Sequence, residues 1–142
     1  VVGIGTGLGP IAARCVTGDR LPALRWSIVL GYALAVVGLL LIATLRSFEG
    51  VLLGILIRSC GSGIIWVFST QILLQIVLPE VRGRVFSTEI AFSMLMSAVG
   101  ASVGGYYLEW FGIAGAVHTT ALLTLLPCAL WISWLVLRRP AD

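Results

Sequence analysis

The polar residues best placed to contact a solute lie within one long apolar run, 51–78. Ser62 follows Arg58 by about one helical turn and Ser69 follows Ser62 by about two, so all three fall within a narrow arc of an α-helix. Trp66 flanks the same arc. A guanidinium inside an apolar helix persists where water or an anionic partner offsets its desolvation. The stripe Arg58, Ser62, Trp66 and Ser69 is therefore a candidate substrate path.

Arg58 is the most costly residue of the chain to place in a bilayer. It lies about 10 Å inside its run at about 1.5 Å per residue. An arginine at a span centre costs about 2.5–3.5 kcal/mol by insertion scales, and less away from the midplane. Two interpretations stay open. The side chain lines a water-filled cavity, with Glu109 as a possible partner, or the guanidinium snorkels to the external headgroups.

The sequence carries no pattern typical of a catalytic or metal centre. No second histidine, cysteine or carboxylate stands at a ligand spacing from His118, which favours a buried, hydrogen-bonded histidine. Cys15, Cys60 and Cys128 are not spaced as a metal site or a disulfide framework. The glycine-rich opening lacks the G-x-G-x-x-G spacing of a dinucleotide loop. We therefore predict no enzyme activity, no cofactor and no metal.

The elements that must position the stripe are four apolar runs, 26–45, 51–78, 90–108 and 113–137. Each is near the length of about 20 residues that crosses a bilayer. The arginines outside the runs divide unevenly between alternate gaps. One set of gaps contains only Arg46, and the other contains Arg14, Arg20, Arg25, Arg82, Arg84, Arg138 and Arg139. By the positive-inside rule, the arginine-rich side is cytoplasmic.

Composition agrees with repeated crossing of a membrane. The chain is 59% hydrophobic and 11% charged, with a mean hydropathy of +1.09, whereas a soluble domain carries about 25% charged residues. The net charge of +3 comes from arginines near span ends, where anionic lipid headgroups account for them. Without lysine or a basic tract, we predict no nucleic-acid partner. The sequence predicts an all-α, multi-pass helix bundle in the cell (inner or plasma) membrane, with the lipid bilayer as a partner.

The two ends of the chain favour a portion of a longer protein. The opening, 1–13, is apolar but too short to span, so we expect it to be the cytoplasmic end of a further helix. No basic region precedes it, which argues against a signal peptide. Arg138, Arg139 and Pro140 end the last run, so the C-terminus is expected to be cytoplasmic. On this interpretation, the chain is the C-terminal part of its protein.

Small residues recur at helical spacing in the third run. They are Ser97, Gly100, Ala101, Gly104 and Gly105. Gly100 and Gly104 form a G-x-x-x-G motif. In a bilayer the hydrophobic effect does not drive helices together. Helix association depends instead on close packing, which small side chains allow. We therefore predict helix packing at Gly100, Gly104 and Gly105. The same argument applies to the opening glycines and to Gly61 and Gly63. Gln71 and Gln75 are expected to form interhelical hydrogen bonds.

The string from Pro79 to Arg84 joins the second and third runs. Pro79 ends a helix, Gly83 is expected to let the chain turn, and Arg82 and Arg84 hold the loop at the cytoplasmic surface. This Pro-x-x-Arg-Gly-Arg string resembles the loop before the penultimate helix of major facilitator superfamily transporters. The small-residue face of the third run is similar to that of their penultimate helix.

A second cytoplasmic segment adds to the resemblance. Asp19-Arg20 and Arg25 are similar to the Asp-Arg loop of the same family. The resemblance implies the last four helices, and part of a fifth, of a twelve-helix transporter. No sugar-porter signature is present, which favours the exporter branch.

The resemblance also implies a mechanism and partners. Two six-helix halves would rock about a central site in alternating access. The stripe on the second run would line the path of a small-molecule substrate, and Arg82, Gly83 and Arg84 would belong to a gating loop. The N-terminal half of the same protein would be a partner. Two alternatives remain: a non-transporting membrane scaffold subunit, and a membrane-embedded enzyme, for which nothing orients Ser69 and His118 as a pair.

Overall fold

A computed structural model describes residues 1–17, 20–45 and 47–137. Within these ranges the chain forms four helices and no strand, which confirms the all-α prediction. The helices are α1 (Val2–Thr17), α2 (Leu21–Thr44), α3 (Phe48–Ile76) and α4 (Arg82–Leu137). Four residues used in the topology and family arguments, Asp19, Arg46, Arg138 and Arg139, lie outside the described residues.

Local signals account for the helix ends. Pro22 occupies the first turn of α2, where its missing N–H is not needed. Ser47 caps α3 because its hydroxyl accepts a hydrogen bond from the Gly50 N–H at 3.2 Å. Val77 after α3 is extended, as expected for a chain that approaches Pro79.

One residue divides α4. A straight helix of 56 residues would be about 84 Å long, far more than a hydrocarbon core of about 30 Å. Gly112 has φ 66° and ψ −179°, a conformation that is essentially restricted to glycine. The chain therefore turns at Gly112. We call 82–111 the first arm of α4 and 113–137 the second arm.

The predicted four-residue turn 109–112 is shorter than expected. Glu109, Trp110 and Phe111 are helical, and Gly112 alone departs from helical angles. Aromatic pairs one turn apart stabilise this helical end, because Tyr106 stacks on Trp110 and Tyr107 on Phe111. The third and fourth apolar runs are thus separated by a single non-helical residue.

Glycines allow α2 and α3 to pack closely in antiparallel orientation. A Cβ on Gly61 would meet the carbonyl oxygen of Gly31, and a Cβ on Gly38 would lie 2.5 Å from the backbone nitrogen of Arg58. Farther along, a Cβ on Gly54 would lie 2.9 Å from the Gly38 carbonyl. These contacts follow the packing mode expected between helices in a bilayer.

The opening glycines of α1 pack against α3 in parallel orientation. A Cβ on Gly5 would lie 2.7 Å from Cβ of Ser59, and one on Gly9 would collide with the backbone of Cys60. On the facing helix, a Cβ on Gly63 would collide with the carbonyl of Thr6. The expected small-residue packing is confirmed for Gly5, Gly9, Gly61 and Gly63, whereas nothing lies within 4 Å of a Cβ built on Gly3 or Gly7.

The core lies at the end of the bundle that contains the described arginines of the arginine-rich set. Its buried members, from α2 and α3, are Leu24, Ile28, Ile64, Phe68 and Ile72. Ala13 of α1 and Trp131 of α4 pack against this cluster. Arg14 follows Ala13 near the end of α1. Arg20 and Arg25 lie at the start of α2, and Arg82 and Arg84 lie at the start of α4. Alternating helix direction therefore brings these arginines to one end.

The surface of the described chain is strongly apolar. Three helices, α2, α3 and α4, are long and apolar enough to cross a membrane. Many large side chains are exposed, such as Ile4, Leu122 and Leu130, with 61%, 67% and 70% of their surface accessible. Contact with lipid rather than water would avoid the free-energy cost of that exposure.

Candidate functional site

The helix α3 has two chemically different sides. Gly54, Ser59, Gly61 and Gly63 are buried against α1 and α2. The Ser59 hydroxyl bonds to its own helix, donating to the Ile55 carbonyl at 2.7 Å. The stripe predicted from the sequence lies next to these contact surfaces and is mostly exposed. We call it the polar face of α3. Its members are Arg58, Ser62, Trp66 and Ser69.

The polar face is accessible. Arg58 and Ser62 are exposed, Trp66 is 52% exposed, and Ser69 is half-buried. The Ser69 hydroxyl donates to the Trp66 carbonyl at 3.0 Å. Arg58 borders the contact between α3 and α2, because a Cβ on Gly38 would lie 2.7 Å from the Arg58 Cβ. The end of its side chain is nevertheless exposed.

Arg58 borders a cavity of about 290 Å³, which we call the outer cavity. Leu39 and Ile42 of α2 form one wall, and both arms of α4 contribute beside the turn at Gly112. The arm residues are Leu108, Ile113, Ala116, Val117 and Thr120. Among the described residues Arg58 forms no ion pair, and the suggested partner Glu109 is exposed. The guanidinium thus lies beside a mostly apolar space with one hydroxyl.

Ser69, at the opposite end of the polar face, borders a larger space of about 730 Å³. We call it the inner cavity. The end of α3 contributes Ile72, Leu73 and Ile76, and Trp131 closes one side. The first turns of α4 contribute Arg84, Val85, Thr88, Glu89 and Phe92. The stripe therefore runs along α3 from one cavity to the other, with Arg58 and Ser69 as its lining residues.

The loop that precedes α4 is held by Arg82. Its Nη2 atom donates to the Leu74 carbonyl at 3.1 Å and the Val77 carbonyl at 3.4 Å. These carbonyls lie where α3 ends, so the guanidinium also opposes the negative end of the helix dipole. Arg82 thereby joins the end of α3 to the start of α4.

Gly83 does not make the turn that was expected of it. It lies in the first turn of α4, and among the described residues only Gly112 has a positive φ. Hydrogen bonds from Val81 to Leu78 and from Arg82 to Pro79 close the reversal instead. Pro79 supplies a φ suited to a tight turn, so the chain needs no glycine there.

Aromatic residues tie the second arm of α4 to the start of α2. The indole nitrogen of Trp131 donates to the Arg25 carbonyl at 3.1 Å. Trp131 stacks on Trp134 with ring centroids 5.3 Å apart, and the Arg25 guanidinium lies 5.2 Å from the Trp134 ring centroid. Nothing in the spacing of these tryptophans indicates a contact with Arg25, because Trp131 and Arg25 are 106 residues apart.

The small-residue face of the first arm has no partner within the described chain. Nothing lies within 4 Å of a Cβ built on Gly100, Gly104 or Gly105. Every residue from 94 to 114 is exposed. Close packing at these glycines stays a prediction, which requires a helix other than α1, α2 or α3.

The remaining polar residues form no reactive cluster. His118 is exposed rather than buried, and its Nδ1 atom bonds to the Ala114 carbonyl at 2.7 Å. The Gln71 Oε1 atom is buried and has no hydrogen-bond partner among the described residues, so its expected interhelical bond is not formed with them. No group of three potential metal ligands occurs within the residues described. Cys15, Cys60 and Cys128 are free thiols.

Two residues of the inner cavity were missed by sequence reasoning, Glu89 and Trp131. Their residue types could have indicated them. A carboxylate and an indole near the arginine-rich ends of apolar runs are positions where function or an interface is expected. Comparison of the chain with protein-family models, curated proteins and solved structures gives no match.

Proposed function

We propose that the chain forms the C-terminal part of a secondary transporter that moves a small molecule by alternating access. The observation that supports this proposal best is the polar face of α3. It runs along α3 from Arg58, which lines the outer cavity, to Ser69, which lines the inner cavity. A solute path needs continuous polar contacts along the membrane normal, and a face used only for helix packing does not.

The environment of Arg58 favours a role in the path over snorkelling. Its side chain borders an open space that residues of α2 and of both arms of α4 also line. Intramembrane arginines that face a protein cavity mark substrate or ion pathways. On this proposal the guanidinium contacts an anionic or strongly polar group of the substrate, while Ser62 and Ser69 supply hydroxyl contacts.

The α4 arms supply an element that can move. The first arm makes few contacts with the bundle, and α4 packs chiefly on α2. Gly112 joins the arms with a backbone conformation that few residues other than glycine adopt. The Arg82 contacts with the end of α3 would hold the first arm in one position and release it in another. We assign the gating role to Arg82 and Arg84, with Gly83 only as part of their helix.

The Pro-x-x-Arg-Gly-Arg string supports membership of the major facilitator superfamily and its exporter branch. In that arrangement the N-terminal half of the protein faces the polar face of α3 and completes the path. The arginine-rich end of the bundle lies at the cytoplasm of the cell (inner or plasma) membrane, and so does the C-terminus.

A membrane scaffold subunit is the second candidate. The exposed small-residue face of the first arm favours it, since such faces also join subunits. The two candidates differ at the polar face of α3, which is wet in a transporter and dry in a scaffold.

Thiol accessibility tests the difference. In a variant free of native cysteines, Ser62→Cys and Ser69→Cys are treated with a charged, membrane-impermeant thiol reagent from each side. We expect both to react in membranes from cells that express the full-length gene. Leu122→Cys is the matched control, because Leu122 is 67% exposed but lies on an apolar helix surface. Inert cysteines at both serines would overturn the transport proposal.

A further inference from the structure

The inner cavity has walls of two kinds. Ile72, Leu73, Phe92 and Trp131 form an apolar surface, whereas Arg84 and Glu89 place opposite charges at one end. Its volume of about 730 Å³ lies within the range of about 300–1,000 Å³ that is usual for sites of small organic ligands. The cavity is therefore large enough for a molecule with both an apolar and a charged part.

The two charges are free to bind a ligand. Among the described residues neither Arg84 nor Glu89 has an ion-pair partner. Five positions on a helix correspond to a rise of about 7.5 Å and a rotation of about 140°. This separation explains why the two side chains do not neutralise each other although both border the cavity. A ligand that carries one positive and one negative group would satisfy both.

The polarity of the cavity changes along the bundle axis. Arg84, Thr88 and Glu89 belong to the first two turns of α4, at the arginine-rich end. Phe92 lies deeper along α4, opposite the apolar residues of α3. Trp131 reaches the wall from the second arm, held by its bond to Arg25. The cavity thus has charged residues at the end of the bundle, an indole at the boundary and apolar side chains deeper in. This order matches the polarity profile of a bilayer leaflet.

We propose that the inner cavity binds a phospholipid with a zwitterionic headgroup from the leaflet at the arginine-rich end. The phosphate pairs with Arg84 and the ammonium group with Glu89. The first part of an acyl chain lies against Ile72, Phe92 and Trp131. This inference concerns binding alone, so it stands or falls separately from transport.

Charge complementarity selects this occupant. An anionic lipid would satisfy Arg84 but would bring its charge close to the Glu89 carboxylate. A cationic apolar solute would satisfy Glu89 and oppose Arg84. A soluble zwitterion without an acyl chain would leave the apolar wall unfilled. A zwitterionic phospholipid meets all three requirements and is already concentrated at this depth.

Lipid titration of the purified full chain in detergent, followed by native mass spectrometry, tests the proposal. The probes are phosphatidylethanolamine, phosphatidylglycerol and free phosphoethanolamine. We expect phosphatidylethanolamine to bind about tenfold more tightly than phosphatidylglycerol, since a charge-assisted hydrogen bond contributes about that factor. Free phosphoethanolamine should bind far more weakly than the lipid.

Three variants separate the contributions. Glu89→Gln should remove the preference by weakening phosphatidylethanolamine binding about tenfold, without weakening phosphatidylglycerol. Arg84→Gln should weaken both lipids. Phe92→Ala should weaken both lipids and leave phosphoethanolamine binding unchanged, because it removes only apolar contact.

Matched controls use charges outside the cavity. Glu80→Gln and Arg20→Gln change exposed residues at the same end of the bundle and should leave both lipid affinities unchanged. Equal affinity of the wild-type chain for the two lipids would overturn the proposal. Phosphoethanolamine binding as tight as that of the lipid would replace the phospholipid with a soluble zwitterion. Circular dichroism establishes that each variant is folded, and the wild-type comparison decides the question if one is not.

Discussion

The indole N–H of Trp131 donates a hydrogen bond of 3.1 Å to the carbonyl oxygen of Arg25, across 106 residues of sequence. The acceptor is in the first turn of α2, and the donor is near the end of α4. Because the Arg25 guanidinium also lies over Trp134, one residue of α2 contacts two tryptophans. This contact fixes the second arm of α4 against the bundle.

Replacing Trp131 with phenylalanine should destabilise the chain. The aromatic packing is largely retained, but the hydrogen bond is lost, which typically costs about 0.5–1.5 kcal/mol. Denaturant unfolding in detergent measures the change. Trp110→Phe is the control, because Trp110 is 74% exposed and its stacking on Tyr106 survives the replacement. Equal stabilities of the two variants would show that the Trp131 bond does not contribute.

Topology can be tested by single cysteines. Arg20→Cys and Arg82→Cys should be labelled only from the cytoplasm, since these arginines lie at the end of the bundle that the positive-inside rule assigns to that side. Ser47→Cys, at the opposite end of α3, should be labelled only from outside. Labelling of position 82 from outside would reverse the proposed orientation.

Arg58→Ala should abolish or redirect transport while the amount of folded protein stays near that of the wild type. The side chain is exposed on the polar face of α3, so its removal leaves no cavity in the core. Arg58→Lys should restore little activity if the substrate needs the planar guanidinium. Substrate-dependent efflux measures both variants. Full activity of Arg58→Ala would favour snorkelling.

The close contact between α2 and α3 at Gly31 and Gly61 should not tolerate an added methyl group. In Gly61→Ala the new Cβ would collide with the Gly31 carbonyl, and overpacking of this kind costs about 1–3 kcal/mol. Gly7→Ala is the control, because nothing lies within 4 Å of its Cβ. Alanine should leave that position neutral or stabilise it by up to about 1 kcal/mol. Unfolding midpoints compare the two, and similar values would contradict the close approach of α2 and α3.

Gly112→Ala should change the relation between the arms of α4. Non-glycine residues adopt φ near +66° with extended ψ only at a cost of about 1–3 kcal/mol. The strain should broaden or shift the distance between spin labels at positions 87 and 133, measured by pulsed electron paramagnetic resonance. Gly105→Ala, in regular helix with open space around it, is the control. An unchanged distance in Gly112→Ala would show that the turn does not depend on glycine.

Much of the helical content was predictable because hydropathy and helix period are local properties. The polar face of α3 is an example: its residues share an arc by spacing alone, and the structure leaves that arc uncovered. The end-to-end sorting of the arginines also follows from the order of the runs.

Other features depend on contacts that spacing does not determine. The opening glycines and Gly100 with Gly104 have similar patterns, yet Gly5 and Gly9 pack on α3 while the latter pair contacts nothing in the described chain. Which face meets a partner is decided by chain reversal and not by composition. The turn expected at Gly83 was wrong, because Pro79 forms the tight turn and Gly83 already belongs to the first turn of α4.

The long reach of the Trp131–Arg25 contact has a consequence for the order in which the chain folds. Helices α1, α2 and α3 are all made before α4 and contact one another directly, so they can assemble soon after synthesis of α3. The first arm of α4 finds few contacts in them and would wait in lipid until the second arm is made. Contacts of large sequence separation form late and slowly. Maturation should therefore end with the docking of Trp131, and a ribosome-bound nascent chain that stops before it should retain a protease-sensitive α4.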